Sequence, residues 1–340
     1  MMKAIIVNKP FEVEIKEVPK PEINDGNDII IKVLAGGICG SDVGIYNGTN
    51  SLATYPRIIG HEFGGIIEAV GDRVTNVKVG DLVAVDNVNS CGRCYACLTG
   101  HHNVCSTVEV TGVHRDGGFA EYVKTTEENA YKVNKDHINP FHVALVEPYS
   151  IGVEANERGR ITKGDKVLVM GSGPIGIAVM QVAKSRGAEV MMTDLVNTRL
   201  ERAMDMGADK VVNVLEESLT DVVSEFTNGE GLPVIVDSVC TPRSLEEALE
   251  LVSPAGRIVS LGTGNKPSAI PQVAFTKKGV DVVGSRLNNY RFPHVIELLE
   301  SGAITPEKMH THTFEFTDVK EALEEVMNNK DAVCKVVLTF

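Results

Sequence analysis

The sequence predicts an α/β protein of two domains, a β-rich one first and a doubly wound parallel sheet second. Three observations carry this. The chain has 340 residues, room for about two domains at about 150 residues each. Its first half reads as short strands broken by proline and glycine. From about residue 160 strands alternate with helices, the pattern of a parallel sheet covered on both faces.

In the β-rich part, Lys3–Val7, Phe11–Ile15, Asp28–Val33, Ile66–Val70 and Leu82–Val85 are runs of β-branched and apolar residues. Pro19, Pro21, Gly26, Gly71 and Gly80 punctuate them. The second part holds six candidate strands, at Lys166–Met170, Glu189–Thr193, Lys210–Asn213, Val234–Asp237, Arg257–Leu261 and Val280–Gly284. Helical patterns such as Thr198–Met206 and Arg243–Val252 fall between them. The tail changes again, with helices over Phe292–Ser301 and Val319–Asn328 and a strand over Lys335–Phe340. It lies outside the six-strand set, so it is expected to rejoin the first domain.

Composition narrows the function. Charged residues are 23% and hydrophobic ones 43%, which describes a globular chain and excludes a disordered one. The net charge of −13 repels a phosphate backbone and an anionic membrane, which argues against nucleic-acid and membrane partners. Met1 to Pro10 carries no basic stretch before an apolar core, so no secretory signal is expected and the location expected is cytoplasmic. The apolar stretch Val167–Ala183 is interrupted by Gly171, Gly173, Pro174 and Gly176, and reads as strand, turn and helix instead of a membrane span.

That turn, Gly171-Ser172-Gly173-Pro174-Ile175-Gly176, is GxGxxG after an apolar strand and before a helix. Gly171 permits a tight turn, Gly173 lets the backbone approach a pyrophosphate, and Gly176 lets helix and strand pack closely. Pro174 fits the first helical turn, and the helix N-terminus offers N–H groups to phosphate. The next strand ends in Asp194. A carboxylate there accepts both ribose hydroxyls of NAD and repels the 2′-phosphate of NADP; the plainer reading is a helix N-cap. Arg199 flanks the adenosine ribose or is a solvated helix charge.

Seven cysteines in such a chain do not suggest a disulfide scaffold. Cys91, Cys94, Cys97 and Cys105 form C-x2-C-x2-C-x7-C, and four thiolates so close surround one tetrahedral Zn²⁺. An iron–sulfur cluster is the rival; a nucleic-acid zinc ribbon wants basic neighbours, and only Arg93 lies inside the motif. Four cysteines leave no open coordination position, so the site reads as structural. A second constellation sets Cys39 in Gly36-Gly37-Ile38-Cys39-Gly40-Ser41-Asp42 and His61 with Glu62 in Gly60-His61-Glu62-Phe63-Gly64-Gly65. Thiolate, imidazole and carboxylate are the mixed donors of an open catalytic zinc site. A lone Cys or His is more often a packed core residue, but the crowding glycines favour a site. Glu147 stands in an apolar stretch before the second domain, as a further donor or as a surface acid.

The spacing G-H-E-x2-G-x5-G-x2-V from Gly60 to Val74, the Cys39-Gly-Ser-Asp42 segment, the four-cysteine lobe and the later GxGxxG, in this order, resemble the zinc-containing medium-chain alcohol and polyol dehydrogenase family over essentially the whole chain. The resemblance implies a GroES-like catalytic domain (residues 1–150 and 285–340) and a Rossmann NAD-binding domain (151–284). It implies two Zn²⁺ per subunit, NAD-linked oxidation of an alcohol, and a homodimer or homotetramer. It makes Cys39 and His61 catalytic zinc ligands, with Glu62 and Glu147 in or near the metal shell, and Ser41 the hydroxyl that passes on the substrate proton. His114, Asp116 and the tail Ser285-Arg286-Leu287-Asn288 look most like the branch acting on hexonates, with the L-gulonate and L-galactonate 5-dehydrogenases and the starvation-sensing group. Sorbitol and threonine dehydrogenase activity, or a sensing protein on the same fold, are the alternatives. Relatives usually carry a histidine five residues after the zinc cysteine; this chain has Gly44, leaving the end of the relay to water, to Tyr46 or to another side chain. For a sugar-acid substrate, Arg286, Arg291, Asn288, Asn289 and His114 are the candidate contacts, against the plainer reading of a solvated or subunit-contact strand end.

Overall fold

The computed structural model describes every residue except Thr263 and Asn265. Two compact units emerge: Met1–Glu147 with Asn288–Gly302 and Met309–Phe340, and Pro148–Leu287 with Ala303–Lys308. The tail thus enters the first unit at Asn288 and leaves it again for residues 303–308, an excursion that no sequence pattern signals. Its cause is local to the second unit. Tyr149 Oη donates to Gln181 Oε1 at 2.5 Å, and the Thr305 N–H donates to the same Gln181 oxygen at 3.2 Å.

In the first unit the main sheet runs Ala130–Lys132, Leu82–Val85, Glu62–Val70, Asp28–Ile38, Lys335–Thr339, His310–Glu315. Ile29, Ile31, Val33, Phe63, Ile67, Val83 and Val85 form its core. The strand expected at Ile66–Val70 starts four residues earlier, at Glu62. Gly64 and Gly65 look like breakers in the sequence, yet they pack within the sheet. A Cβ on Gly65 would lie 2.0 Å from the Lys32 carbonyl oxygen, so only glycine fits that close approach. The last strand, Lys335–Thr339, pairs antiparallel with Asp28–Ile38, Val336 opposite Ile38. The C-terminal strand and Asp28–Ile38 therefore share one sheet, while Met2–Lys9 lies in a separate three-stranded sheet.

The second unit has six parallel strands in the order Lys210–Asn213, Glu189–Asp194, Lys166–Met170, Leu232–Asp237, Val252–Ser260, Asp281–Gly284. The first strand in sequence sits third, with the chain crossing over on either side of it. This is the doubly wound order, whose switch point lies at the carboxyl end of Lys166–Met170, where the glycine-rich turn begins. Leu168, Met191, Ile235 and Ile258 are fully buried, as parallel strands covered on both faces require.

Candidate metal centre and cofactor turn

Cys39 ends the long strand Asp28–Ile38 and opens the helix Gly40–Asn47. The main reason the chain turns here is Asp42. Its carboxylate, 0% exposed, accepts the Cys39 N–H at 2.9 Å and the Gly60 N–H at 3.1 Å. One side chain thereby joins the two segments that carry the cysteine and the histidine. Gly60 has φ +95°, which releases His61 and Glu62 from the preceding chain direction. Gly37 faces Glu62 across the strand pair, and a Cβ on it would stand within 2.3 Å of Glu62 Oε2. The glycines that mark the site in the sequence are thus the space in which the donors sit.

Donor atoms of Cys39, His61 and Glu62 lie within 4.8 Å of one another. His61 is buried; its Nδ1 is 3.6 Å from Asp42 Oδ1 and its Nε2 is 3.4 Å from Ser41 Oγ. Burial disfavours a charged ring, but Asp42 and Cys39 outweigh it and raise the His61 pKa well above its ordinary value. The surroundings of this imidazole favour positive charge. That fits a divalent cation held by thiolate, imidazole and carboxylate, with the Asp42 carboxylate behind the ring, just beyond hydrogen-bond distance of Nδ1.

Glu147 stands in the first turn of the helix Val146–Arg158, outside that three-residue group. It is 5% exposed, and burial pushes its pKa up to about 7, with His61 drawing it down and Glu62 adding to the rise. Asn87 Nδ2 donates to Glu147 Oε1 at 2.9 Å. The structure adds Lys335, which sequence motifs do not point to. Its Nζ lies 2.8 and 2.9 Å from the two Glu62 oxygens. The available signal is a lysine opening the otherwise apolar run Lys335-Val-Val-Leu.

Cys91, Cys94, Cys97 and Cys105 form the second donor group, again within 4.8 Å. Cys94 Sγ and Cys97 Sγ are 3.6 Å apart, close to the edge of about 3.8 Å that four Zn–S bonds of about 2.3 Å require. All seven cysteines are free thiols. Backbone N–H groups of Cys97 and Ser106 lower the Cys94 pKa to about 5 and those of Cys91 and Thr107 lower that of Cys105, whereas burial and the neighbouring thiols raise that of Cys97.

In the second unit, Gly171 has φ +95°. A Cβ on Gly176 would fall 1.9 Å from the Gly171 carbonyl oxygen, while one on Gly173 would meet nothing within 4 Å. The first and third glycines are needed by the fold, and the middle one leaves open space before the helix Pro174–Ser185, which carries Pro174 at its first turn and Ile175 after it. Asp194 Oδ2 accepts the Ser172 N–H at 2.9 Å, and Oδ1 accepts the Leu195 and Val196 N–H groups at 2.8 and 3.2 Å. Arg199 stands 3.8 Å from Asp194 Oδ2. The helix Asn197–Asp205 has Val196 at its N-cap, so Asp194 braces the turn between strand and helix and is not that helix's cap.

The expected substrate contacts divide between the two units. Arg286 is exposed in the second unit, and the others belong to the first. Asn288 is fully buried, its amide donating to Asp86 Oδ1 at 3.0 Å and its carbonyl oxygen accepting the Arg291 N–H at 3.3 Å. Asn289 Oδ1 accepts from His102 Nδ1 at 2.7 Å and its Nδ2 donates to the Gly100 carbonyl at 2.8 Å. His114 Nδ1 accepts the Val110 N–H at 3.0 Å. Asn289 fastens the C-terminal segment to the cysteine lobe, and Asn288 fastens it to Asp86 ahead of that lobe. At Gly44, Thr49 and Asn50 donate to the carbonyl, and Tyr46 is buried with its ring edge-on to Phe11.

Residues 174–301 match the zinc-binding dehydrogenase family and 25–135 match the alcohol dehydrogenase GroES-like domain. The chain belongs to the zinc-binding dehydrogenase family. Within it, the starvation-sensing protein RspB of Escherichia coli K12 is 42% identical over 100% of this chain and 99% of its own length. The L-galactonate-5-dehydrogenase of E. coli K12 is 32% identical over 100% and 99%. A crystal structure of an E. coli CFT073 alcohol dehydrogenase, rspB, complexed with NADH superposes with a TM-score of 0.94 at 42% identity, covering 100% of this chain and 99% of that one. The zinc-binding dehydrogenase family is one of alcohol and polyol oxidoreductases, with a GroES-like domain and a parallel-sheet nucleotide domain. No helix among the described residues is long and apolar enough to cross a membrane.

Proposed function

We propose that this chain oxidises the C5 secondary alcohol of a hexonate such as L-gulonate or L-galactonate to a keto-hexonate, with NAD as acceptor. The observation that carries the oxidoreductase reading is the three-donor cluster of half-buried Cys39 with buried His61 and Glu62. The hexonate reading is supported by the similarity to an L-galactonate-5-dehydrogenase over the full chain. NAD is favoured over NADP by Asp194 at the end of the second strand of the nucleotide fold.

Cys39, His61 and Glu62 hold the catalytic zinc, with Glu147 as the nearby reserve carboxylate. The four cysteines hold the structural one, giving two per subunit. Bound in these places, zinc supplies Lewis acidity toward an alcohol oxygen and NAD supplies the hydride acceptor. Ser41 Oγ, at the start of the helix Gly40–Asn47, accepts the hydroxyl proton as it passes its own on to water. Asp42 stands behind the His61 ring, and the helix N-terminus after Gly173 receives the pyrophosphate. Arg286 and Arg291 are the candidates for the substrate carboxylate, and Asn288 contributes by placing Arg291. The reading also includes a cytoplasmic homodimer or homotetramer, supported by the family; light scattering after gel filtration tests the assembly.

The deciding experiment is an NADH-formation screen across hexonates, polyols and L-threonine. Preferential turnover of L-gulonate or L-galactonate supports the proposal; faster turnover of sorbitol or threonine replaces the substrate. Absence of any turnover, with one zinc per subunit, favours a sensing protein.

A further inference from the structure

We propose that Asn87 is a positioning residue of the metal centre: its amide grips one oxygen of Glu147 and the His61 main chain at once, and so sets where Glu147 stands relative to the inner donors. The proposal rests on the reading of Cys39, His61, Glu62 and Glu147 as that centre.

Asn87 follows the strand Leu82–Val85 and precedes Val88–Asn89. Its carbonyl accepts the Thr111 N–H at 2.9 Å and Asn89 Nδ2 at 3.1 Å, so the backbone that presents the side chain is itself held. The side chain is 0% exposed. Nδ2 donates to Glu147 Oε1 at 2.9 Å and to the His61 carbonyl at 3.3 Å. The His61 carbonyl is an acceptor only, so a flipped amide would set oxygen against oxygen. The orientation of the amide follows from its partners.

The other end of the amide points to the same conclusion. Asn87 Oδ1 is buried and makes no hydrogen bond. An unsatisfied buried oxygen destabilises a fold, and an apolar side chain of similar size would avoid it. The amide is instead matched to two acceptors that belong to two donors far apart in sequence. With Oε1 held by Asn87, Glu147 would serve the centre through Oε2. Hydrogen bonds of this kind to a metal-ligating carboxylate fix its orientation.

The test is zinc retention. Holoenzyme is dialysed against graded dipicolinate, and remaining zinc per subunit is counted with a chromophoric chelator. Asn87→Leu keeps the volume and removes both donors. It should lose one zinc at a chelator concentration roughly ten- to hundredfold lower than the wild type, while the zinc of the four-cysteine lobe leaves unchanged. Asn87→Ser repeats the measurement should the Leu variant not fold. A cycle with Glu147→Ala separates positioning from general damage: the double variant should retain zinc no worse than Glu147→Ala alone. Wild-type retention in the Asn87 variants, or additive loss in the double variant, overturns the proposal. Cys39→Ser provides the control for the underlying reading. If it holds as much zinc as the wild type, the metal-centre reading falls and this proposal with it. If Cys39→Ser is zinc-poor while the Asn87 variants are not, only the role of Asn87 falls.

Discussion

Lys335 Nζ lies 2.8 Å from one oxygen of Glu62 and 2.9 Å from the other. The lysine is 2% exposed and the glutamate 0%. Burial alone would push the Lys335 pKa down; Glu62 and Cys39 reverse this and raise it. The ammonium therefore stays charged and offsets one of the anionic donors gathered around His61. Without it, Cys39, Glu62 and Glu147 would confront each other with only a metal between them.

Removing one partner of this pair should be costly. Lys335→Met leaves Glu62 buried without its counter-charge, a loss of about 3–5 kcal/mol in typical buried pairs. The combination Lys335→Met with Glu62→Gln removes both charges and should recover most of it. Urea unfolding of the two variants beside the wild type checks this; equal midpoints for wild type and Lys335→Met would show that the pair does not act as a unit.

A different buried acid makes stability depend on pH. Burial pushes Asp86 from the ordinary 3.8 up to about 6, against donors from the Val88 N–H and Asn288. The folded state thus prefers the neutral form. The unfolded chain loses this proton first, near pH 4, so the stabilisation present below that pH declines as pH rises through about 6. At about 1.4 kcal/mol per pH unit, the loss is at most about 3 kcal/mol. Asp86→Asn keeps an oxygen for both donors and cannot ionise. It should be more stable than the wild type at pH 7.5 and close to it at pH 4, read from melting temperatures at the two pH values.

Asp194→Ala should shift cofactor choice. Loss of a charged hydrogen bond to ribose weakens binding by about 1.5–3 kcal/mol, or roughly ten- to a hundredfold. The variant also frees the Ser172, Leu195 and Val196 N–H groups, so some loss of stability is expected. The ratio of kcat/KM for NAD over NADP distinguishes the two effects. Local damage lowers both alike, whereas a ribose contact makes the ratio fall.

Cys97→Ser should release one zinc per subunit and lower the melting temperature, because the lobe has a four-residue helix with no buried residue to hold it. Turnover per folded enzyme should change far less than in Cys39→Ser. Comparable loss of turnover in both variants would contradict a purely structural lobe.

Much of the site is legible in the sequence because its information is local. The four cysteines lie on one loop, and the glycine-rich turn joins a strand to the helix that follows it. The central parallel strands are buried on both faces, so they stand out as apolar runs, and most strand bounds in this sheet agree with the pattern to within a few residues. Segments whose state depends on neighbours are less legible. The pattern shortens Glu62–Val70 because Gly64 and Gly65 look like breakers, whereas their small size is what lets adjacent strands close on them. Asn288 looks like a substrate contact because an exposed amide and a buried one are the same letter. Its donation to Asp86 decides the matter.

Residue type and spacing are enough to establish the donor sets, the nucleotide turn and the two-part α/β organisation. Tertiary structure alone decides which charges face each other. Lys335 meets Glu62 across 273 positions, and Asn87 meets Glu147 across 60. Both contacts depend on strand register and on which face of an element is turned inward. Those are settled by packing the whole domain, where a buried charge or amide is tolerated only opposite a partner that satisfies it.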